Sequence, residues 1–398
     1  MIFNSLGSNY DLKFVLKSLF FIPSKEDKNK LITLLESKYK GEAVLLYKGR
    51  EAIKLALQLS GFPKGSKVGV NGFTCYVVNQ AITEAGYEPV YLDIGDWDLN
   101  FEITNLEKHL DIKALIIQNT FGSPIDIISV KSICNKNNIL IIEDLAHSAG
   151  SLYTDGSEVG SNSDFTALSF SQDKIIDAVS GAALIVRNNK FKRQLKNIIY
   201  SKIPVANQIR DRLYPLFTYK IRKLYFLKLG KILHFVVKKL KMLSDPMGGA
   251  NEINYHLLPN WHASMALSSL ENLDSQIKHR REIAKIYIKS LDQDLLSLGV
   301  VKNCDLSTNI RFPIFVEDRT RLIHYLKDSG IFVSDIWYDA PIAPQKLIER
   351  TDYKKGECPK AEVDSKQILN LPTHINVTKK EAEKISVNIN KWLNTNQK

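Results

Sequence analysis

A lysine lies in a short polar loop between two strand-like runs near the middle of the chain. Lys174 ends the segment SFSQDK at residues 169–174, and the runs on either side cover residues 164–168 and 183–186. A lysine in such a loop is ordinarily a solvated surface charge, because lysine is rarely buried. A lysine amine held inside a site can instead attack a carbonyl carbon and move a proton. Lys174 is therefore a candidate catalytic residue.

A carboxylate and an imidazole follow another strand-like run. Residues 139–142 read ILII, and Glu143, Asp144 and His147 come directly after them. Polar side chains that end a strand of an open α/β sheet lie at its carboxyl edge, where such folds bind their ligands. Taken alone, Glu143 and Asp144 are more simply a polar loop after a strand. Together with the lysine segment, they make Asp144 and His147 candidate site residues.

A glycine precedes the helical pattern at residues 50–59. The free backbone N–H groups at a helix start can bind a phosphate, and a glycine there lets the phosphate come close. A lone glycine before a helix is more often a simple turn, so Gly49 and Arg50 gain weight only from their order relative to the other segments. We expect them to form an anion site.

The elements that must position these residues alternate along the chain from residue 42 to residue 187. Short apolar runs lie between helix-like stretches, at residues 67–70, 89–92, 114–117, 139–142 and 183–186. This alternation predicts an α/β fold with a mostly parallel sheet. The runs are continuously apolar, which is typical of strands covered by helices on both faces.

The length of the chain, 398 residues with 44% hydrophobic and 24% charged content, suits two domains. We predict a large domain at residues 1–250 and a smaller C-terminal α+β domain at residues 251–398, because Gly248 and Gly249 interrupt the pattern there. The four cysteines are far apart and form no metal or disulfide pattern, so they are expected to be reduced thiols, with no metal site. The first 21 residues carry charges that a signal peptide lacks, which favours the cytoplasm.

In their order and spacing, these segments resemble the motifs of the DegT/DnrJ/StrS sugar aminotransferase family. The resemblance covers roughly residues 40–398. In chain order the motifs read Lys48-Gly49-Arg50, Phe73-Thr74-Cys75-Tyr76, Glu143-Asp144-Leu145-Ala146-His147, Ser169-Phe170-Ser171-Gln172-Asp173-Lys174 and Asn370-Leu371-Pro372. The resemblance implies a fold-type-I enzyme that depends on pyridoxal 5′-phosphate (PLP).

The resemblance also implies a role for each matching residue. Lys174 would carry the cofactor covalently and move the proton, and Asp144 would hold a proton on the pyridine nitrogen. His147 matches the position that touches the cofactor ring or its phenolic oxygen. Ser169, with the backbone of Gly49 and Arg50, matches the phosphate-binding group.

Two further positions, Cys75 and Asn254, depart from the family pattern. Cys75 stands where many members have an aromatic ring stacked on the cofactor, and Tyr76 is the neighbouring aromatic that could replace it. Asn254 lies one position from the asparagine that family members extend to the partner's phosphate site. The resemblance further implies a homodimer, a keto sugar nucleotide as amino acceptor and glutamate as amino donor.

A strongly basic segment distinguishes this chain. Residues 202–241 hold eleven lysines and arginines against one acid, Asp211, while the whole chain has a net charge of +11. Helical periodicity from 219 to 243 predicts one long amphipathic helix within an insert at about 202–243. Its apolar side could pack on protein, which is the simpler expectation, or lie on an anionic membrane at the inner face. Nucleic-acid binding is not expected, since no DNA- or RNA-binding motif accompanies the segment.

Two other functions are alternatives to transamination. A sugar dehydratase of the same family carries histidine in place of the catalytic lysine, so Lys174 argues against that activity. A protein that binds PLP without catalysis, as a regulator or a membrane scaffold, is the alternative from a different class. The intact set of Asp144, His147, Ser169 and Lys174 argues against it.

Overall fold

Seven strands form the central sheet of the computed structural model, which describes residues 1–96, 98–245 and 252–396. In spatial order they are β2 (Glu42–Leu46), β9 (Ala182–Val186), β8 (Phe165–Ser169), β7 (Leu140–Asp144), β6 (Ala114–Ile117), β3 (Lys67–Asn71) and β5 (Glu88–Leu92). β9 is antiparallel to both neighbours, and all other neighbouring pairs are parallel. The predicted mostly parallel α/β sheet is confirmed.

Helices cover this sheet, as the continuously apolar strand sequences predicted. They are α3 (Gly49–Ser60), α4 (Tyr76–Glu84), α5 (Ile103–Glu107), α6 (Ile127–Asn137) and α7 (Asn189–Leu195). Every residue of β6 and β9 is buried. Strands buried on both faces bind no water, so their apolar composition stabilises the sheet from both sides.

The C-terminal part contains helices and short strands. The helices are α10 (Asn260–Glu271), α11 (Leu273–Ser290), α12 (Leu298–Lys302), α13 (Arg319–Asp328), α14 (Pro359–Gln367) and α15 (Lys379–Asn396). β10 (Phe312–Phe315) pairs antiparallel with β13 (Ile368–Leu371), and β12 (Ile342–Ala343) pairs parallel with β4 (Thr74–Cys75). The last pair connects the C-terminal part to the start of α4.

The N-terminus joins elements that are distant in sequence. β1 (Ile2–Phe3) pairs parallel with β11 (Ile331–Phe332), and the Asn4 amide donates to the carbonyl oxygens of Asp335 and Asn370 at 3.0 Å each. Two helices follow, α1 (Leu12–Phe20) and α2 (Lys25–Tyr39). The first residues therefore lie against the C-terminal part of the chain.

The prediction of one long helix at 219–243 is wrong. The insert forms two helices, α8 (Val205–Leu224) and α9 (Leu229–Lys239), which pack against each other and are called here the α8–α9 hairpin. The backbone reverses at Lys228, whose φ is +60°. Gly230 explains the packing, because a Cβ at that position would lie 2.2 Å from the carbonyl oxygen of Ile221. Only glycine lets α9 approach α8 this closely.

The predicted domain boundary near residue 250, with Gly248 and Gly249, lies outside the described residues. The division into residues 1–250 and 251–398 stays a prediction. None of the described helices is both long and apolar enough to span a membrane.

Candidate active site

The carboxyl ends of neighbouring strands bring the predicted residues to one cavity. β7 ends at Asp144 and β8, its parallel neighbour, ends at Ser169. The cavity beside them has a volume of about 630 Å³, which is within the usual size range of small-molecule sites. Those predicted residues that line the cavity are Gly49, Arg50, Cys75, Asp144, His147, Ser169 and Lys174.

Lys174 lies on the loop from β8 to β9, and its amine faces the cavity. The Nζ atom is 4.4 Å from the centroid of the Trp337 ring. Burial lowers the pKa of the Lys174 ammonium, while Cys75 and Asp144 act in the opposite direction. A lowered pKa increases the share of neutral amine, the form that can react with a carbonyl carbon or accept a proton.

The carboxylate of Asp177 anchors the lysine loop. It accepts hydrogen bonds from the backbone N–H groups of Asp173 and Val179, both at 2.9 Å. It also accepts from the hydroxyl of Tyr10 at 2.8 Å and from the amide of Asn9 at 3.1 Å. The N-terminal segment thus holds the loop that carries Lys174, a role for Asp177 that sequence reasoning missed.

Asp144 is buried at the end of β7, with 5% of its surface exposed. Burial raises the pKa of its carboxyl to about 6, against the effect of the hydrogen bond that Oδ1 accepts from the Ala146 N–H at 2.9 Å and of the nearby Lys174 charge. A buried carboxyl group of this kind binds a proton-bearing partner strongly, because little water competes for it.

His147 forms an aromatic wall of the cavity. Its ring stacks on Trp337 with centroids 5.1 Å apart and on Phe121 at 5.8 Å. Nδ1 accepts a hydrogen bond from the Phe121 N–H at 3.3 Å. Burial lowers the pKa of the imidazole well below its ordinary value, so the ring is neutral at pH 7.

The start of α3 forms the opposite end of the cavity. Lys48 precedes the helix, and among the described residues no side chain caps its first turn. A Cβ on Gly49 would lie 3.4 Å from the Cβ and Oγ of Ser169, so the glycine faces that hydroxyl. Lys48 Nζ donates to Ser180 Oγ at 3.1 Å, and Arg50 Nη1 donates to Gln80 Oε1 at 3.1 Å. Uncapped N–H groups, a hydroxyl and two cations suit a phosphate.

Of three predicted positions, Cys75 lines the cavity, whereas Tyr76 and Asn254 do not. Cys75 lines the cavity as the residue before α4, and burial raises the pKa of its thiol. Tyr76 is buried in the hydrophobic core, outside the cavity lining, so the structure does not bring it to the site. Asn254 is exposed and also lies outside the lining of this chain's cavity. Its predicted contact would be with a partner subunit.

Sequence reasoning missed the aromatic and basic residues that the C-terminal part contributes. Trp337 and Tyr338 line the cavity from the loop between β11 and β12. The Arg311 guanidinium lies 3.9 Å from the Trp337 ring centroid and pairs with Asp335 at 2.7 Å. The side-chain oxygen of Asn370 accepts from the Trp337 N–H at 2.6 Å. The family-like triplet at 370–372 was the one available signal for this wall.

The α8–α9 hairpin forms another wall. Tyr214, Tyr225 and His234 of this segment line the cavity. Tyr225 packs edge-on against Phe3 and Phe332, with ring centroids 5.3 and 4.9 Å apart, so the hairpin turn is fixed on β1 and β11.

The donor set fits the cofactor implied by the sequence resemblance. A buried carboxyl at Asp144 suits a pyridinium nitrogen, the amine of Lys174 suits an aldehyde, and the start of α3 with Ser169 suits a phosphate. Glycine at position 49 matters here, since a side chain would occupy the space in front of the Ser169 hydroxyl.

Comparison with known proteins identifies the family of this chain. A family model for DegT/DnrJ/EryC1/StrS aminotransferases matches residues 30–224 and 233–390. The chain is 25% identical over 355 residues to GDP-perosamine synthase of Escherichia coli O157:H7, covering 88% of this chain and 85% of that protein. It is 23% identical over 329 residues to a pleiotropic regulatory protein of Geobacillus stearothermophilus, covering 81% and 77%.

A solved structure shows the same fold. PseC of Helicobacter pylori, an aminotransferase involved in the biosynthesis of pseudoaminic acid, matches with a TM-score of 0.73 at 16% identity. The match covers 96% of each chain. With a family model matching most of its length, the chain belongs to the DegT/DnrJ/EryC1/StrS aminotransferase family.

Proposed function

We propose that this protein transfers an amino group from glutamate to a keto sugar carried on a nucleotide, with PLP as its cofactor. The observation that carries the proposal is that the Lys174 amine and the Asp144 carboxyl face one cavity at the carboxyl edge of the sheet. A relative in Aneurinibacillus thermoaerophilus, matched over 86% of this chain and 84% of its own length, is named dTDP-3-amino-3,6-dideoxy-alpha-D-galactopyranose transaminase. Amino-sugar synthesis for surface polysaccharides is the corresponding role.

Lys174 does the proton chemistry in this proposal. When bound, PLP supplies an electron sink that stabilises the negative charge left on the substrate carbon after proton loss. The Nζ atom would accept the proton from that carbon and would release it again to complete the transfer. Burial, which lowers the pKa of Lys174, supports this role, because a fully protonated amine cannot accept a proton.

Asp144 and His147 keep the ring oriented and charged. The Asp144 carboxylate holds a proton on the ring nitrogen, and that proton strengthens electron withdrawal from the reacting carbon. The neutral His147 ring, fixed by the Phe121 N–H and stacked on Trp337, would contact the cofactor ring. The first turn of α3, the Ser169 hydroxyl and Arg50 hold the phosphate.

A homodimer completes the proposal. Asn254 is exposed and lies outside its own chain's cavity, which is compatible with a contact across a subunit interface. The four cysteines are free thiols, in keeping with a reducing compartment, and we place the enzyme in the cytoplasm.

A cofactor-binding protein without catalysis is the second candidate, because one relative is named a pleiotropic regulatory protein. The two candidates make different predictions for the protein loaded with PLP. An aminotransferase converts the cofactor to its amino form when glutamate is added, whereas a regulator leaves it unchanged.

The test is the absorbance spectrum of the purified protein with PLP, for the native chain, Lys174→Ala and the exposed surface control Lys136→Ala. We expect the native chain and the control to show a lysine-dependent band that glutamate removes, and Lys174→Ala to lack it. A band that glutamate leaves unchanged would favour the regulator. A native spectrum identical to that of Lys174→Ala would refute both candidates.

A further inference from the structure

The outward face of α9 carries large apolar side chains that nothing in the described chain covers. Exposed fractions are 60% for Ile232, 68% for Phe235 and 62% for Leu240, and Phe226 in the preceding turn is 78% exposed. Within α9 only Gly230 and Val237 are buried. Contiguous exposed apolar surface of this kind marks an interaction site, because it costs free energy in water.

The exposed side chains are in a regular stripe. Leu229, Ile232 and Val236 follow the helical spacing of three and four residues, and Leu240 continues the same line at the end of the helix. His234 and Val237 lie on the opposite side, where His234 lines the cavity. The helix is thus divided into a side that contacts the protein and a side that faces solvent.

The same segment also exposes lysines. Lys228, Lys231, Lys238 and Lys239 are all exposed. The one acidic residue of segment 202–241, Asp211, is buried and hydrogen-bonded to Tyr47 and His262. The solvent-facing side of α9 is therefore both apolar and cationic, with no carboxylate of the hairpin beside it to neutralise it.

These two properties together select the partner. A second copy of the chain placed face to face would bring two rows of lysines together, and like charges repel. A nucleic acid would match the charge but would leave the aliphatic stripe in water. An anionic bilayer offers phosphate headgroups to the lysines and acyl chains to the stripe at the same depth.

We propose that the α9 face at residues 226–241 docks the protein on an anionic lipid surface. The docked helix lies in the plane of the interface with its lysines at the headgroups. Because His234 of this segment and the adjacent Tyr225 line the cavity, docking holds one wall of the active site at the membrane. This inference is independent of which substrate the enzyme uses.

The test is vesicle flotation of the full-length, PLP-loaded protein with phosphatidylcholine vesicles and with vesicles that also contain phosphatidylglycerol. We expect the native chain to float only with the anionic vesicles and to be released by high salt. The double variants Ile232→Ser/Phe235→Ser and Lys238→Glu/Lys239→Glu should each lose binding by about tenfold or more. These side chains are exposed, so the variants are expected to fold.

Two matched control variants make the same kinds of substitution elsewhere on the surface. Leu298→Ser/Val387→Ser removes two side chains that are 68% and 65% exposed, and Lys136→Glu/Lys355→Glu reverses two exposed lysines. Both controls should bind anionic vesicles as the native chain does. Circular dichroism and the PLP spectrum establish that each variant is folded.

Three outcomes would overturn the proposal. One is that the folded native chain does not float with anionic vesicles at low salt. Another is that the α9 variants float as well as the controls. The third is that the face binds a different partner. A halved mass in sedimentation for Ile232→Ser/Phe235→Ser would assign the face to a second copy. Binding of labelled RNA by the native chain without any vesicle binding, lost in the α9 variants, would assign it to a nucleic acid.

Discussion

The carboxylate of Asp211 on α8 accepts a hydrogen bond at 2.5 Å from the hydroxyl of Tyr47, which lies two residues before the glycine that begins α3. Nε2 of His262 on α10 lies 2.9 Å from the same oxygen. All three side chains are buried. The inserted hairpin is therefore fixed to the start of α3 and to the C-terminal helices through one carboxylate.

Replacing Asp211 should loosen this junction. In Asp211→Asn, Tyr47 and His262 lose a charged acceptor in a buried place, and we expect the free energy of unfolding to fall by about 2 kcal/mol. Urea unfolding at pH 7 measures the change. Asp111→Asn, which breaks the exposed ion pair with Lys67, is the control and should leave unfolding unchanged. Equal unfolding of Asp211→Asn and the native chain would contradict the prediction.

Protonation of the same carboxylate should make the protein less stable at acid pH. Burial alone would raise the pKa of Asp211, but the hydrogen bond and charge of His262 and the charge of Lys48 outweigh it, and the pKa lies at about 2 instead of 3.8. A lowered folded-state pKa stabilises the fold above about pH 4, and this contribution of about 2 kcal/mol is lost as the pH falls towards 2. The free energy of unfolding should be measured from pH 7 to pH 3 for the native chain and for Asp211→Asn. The difference between the two values should become smaller below pH 4. A difference that stays constant would disprove the assignment.

Trp337 should control the protonation of Lys174. Burial is the main cause of the lowered Lys174 pKa, and the indole ring lies 4.4 Å from its Nζ. Trp337→Ala admits water, so the pKa of Lys174 should rise, whereas Trp337→Phe should keep most of the effect. The rate at which an acylating reagent modifies Lys174 in the PLP-free protein, followed by mass spectrometry against pH, reports that pKa. The prediction is wrong if Lys174 has the same pKa in both variants as in the native chain.

Gly49→Ala should weaken cofactor binding without unfolding the protein. The new Cβ meets Ser169 at 3.4 Å, an ordinary contact, and Gly49 has no left-handed φ that would strain alanine. Because the methyl group occupies space in front of the Ser169 hydroxyl and the first turn of α3, the dissociation constant for PLP should rise by about tenfold. Equilibrium titration gives the constant, and thermal unfolding of the PLP-free protein should be unchanged. An unaltered constant would show that the phosphate lies elsewhere.

Gly230→Ala should separate the two helices of the hairpin. Its Cβ would lie 2.2 Å from the Ile221 carbonyl oxygen, so the backbone must shift, at a cost of about 2 kcal/mol. Gly95→Ala, whose Cβ would be 3.5 Å from its nearest neighbour, is the matched control. Thermal unfolding and protease cleavage within 205–239 measure the effect. Unchanged cleavage of Gly230→Ala would mean that the close approach does not hold the hairpin.

Local patterns in the sequence were enough to predict six of the seven strands of the sheet, all except β2, and one side of the site. Strands such as β6 and β9 are buried on both faces, so their identity follows from short apolar runs that need no partner to be recognised. Asp144 and Ser169 end neighbouring parallel strands, and parallel strands place their carboxyl ends at one edge. The expectation that Asp144 and Lys174 face one cavity followed from that rule.

Other features depended on contacts between distant residues. Helical periodicity continues from 219 to 243, but the close approach of Gly230 to Ile221 and the reversal at Lys228 turn that segment into two helices. Tyr76 looked like a ring for the cofactor, but α4 directs it into the core. No periodicity could reveal either result, because each depends on what packs against the segment.

The sequence by itself determined the order of the chemical groups, the type of fold and the family, since these depend on short segments and their spacing. The tertiary structure decided which aromatic and basic residues complete the cavity. Trp337 reaches Lys174 from 163 positions away, through a loop fixed by Asn370 and by the N-terminal Asn4. Such contacts are set by how the C-terminal part packs on the sheet, and that packing energy is shared among residues too far apart to form a motif.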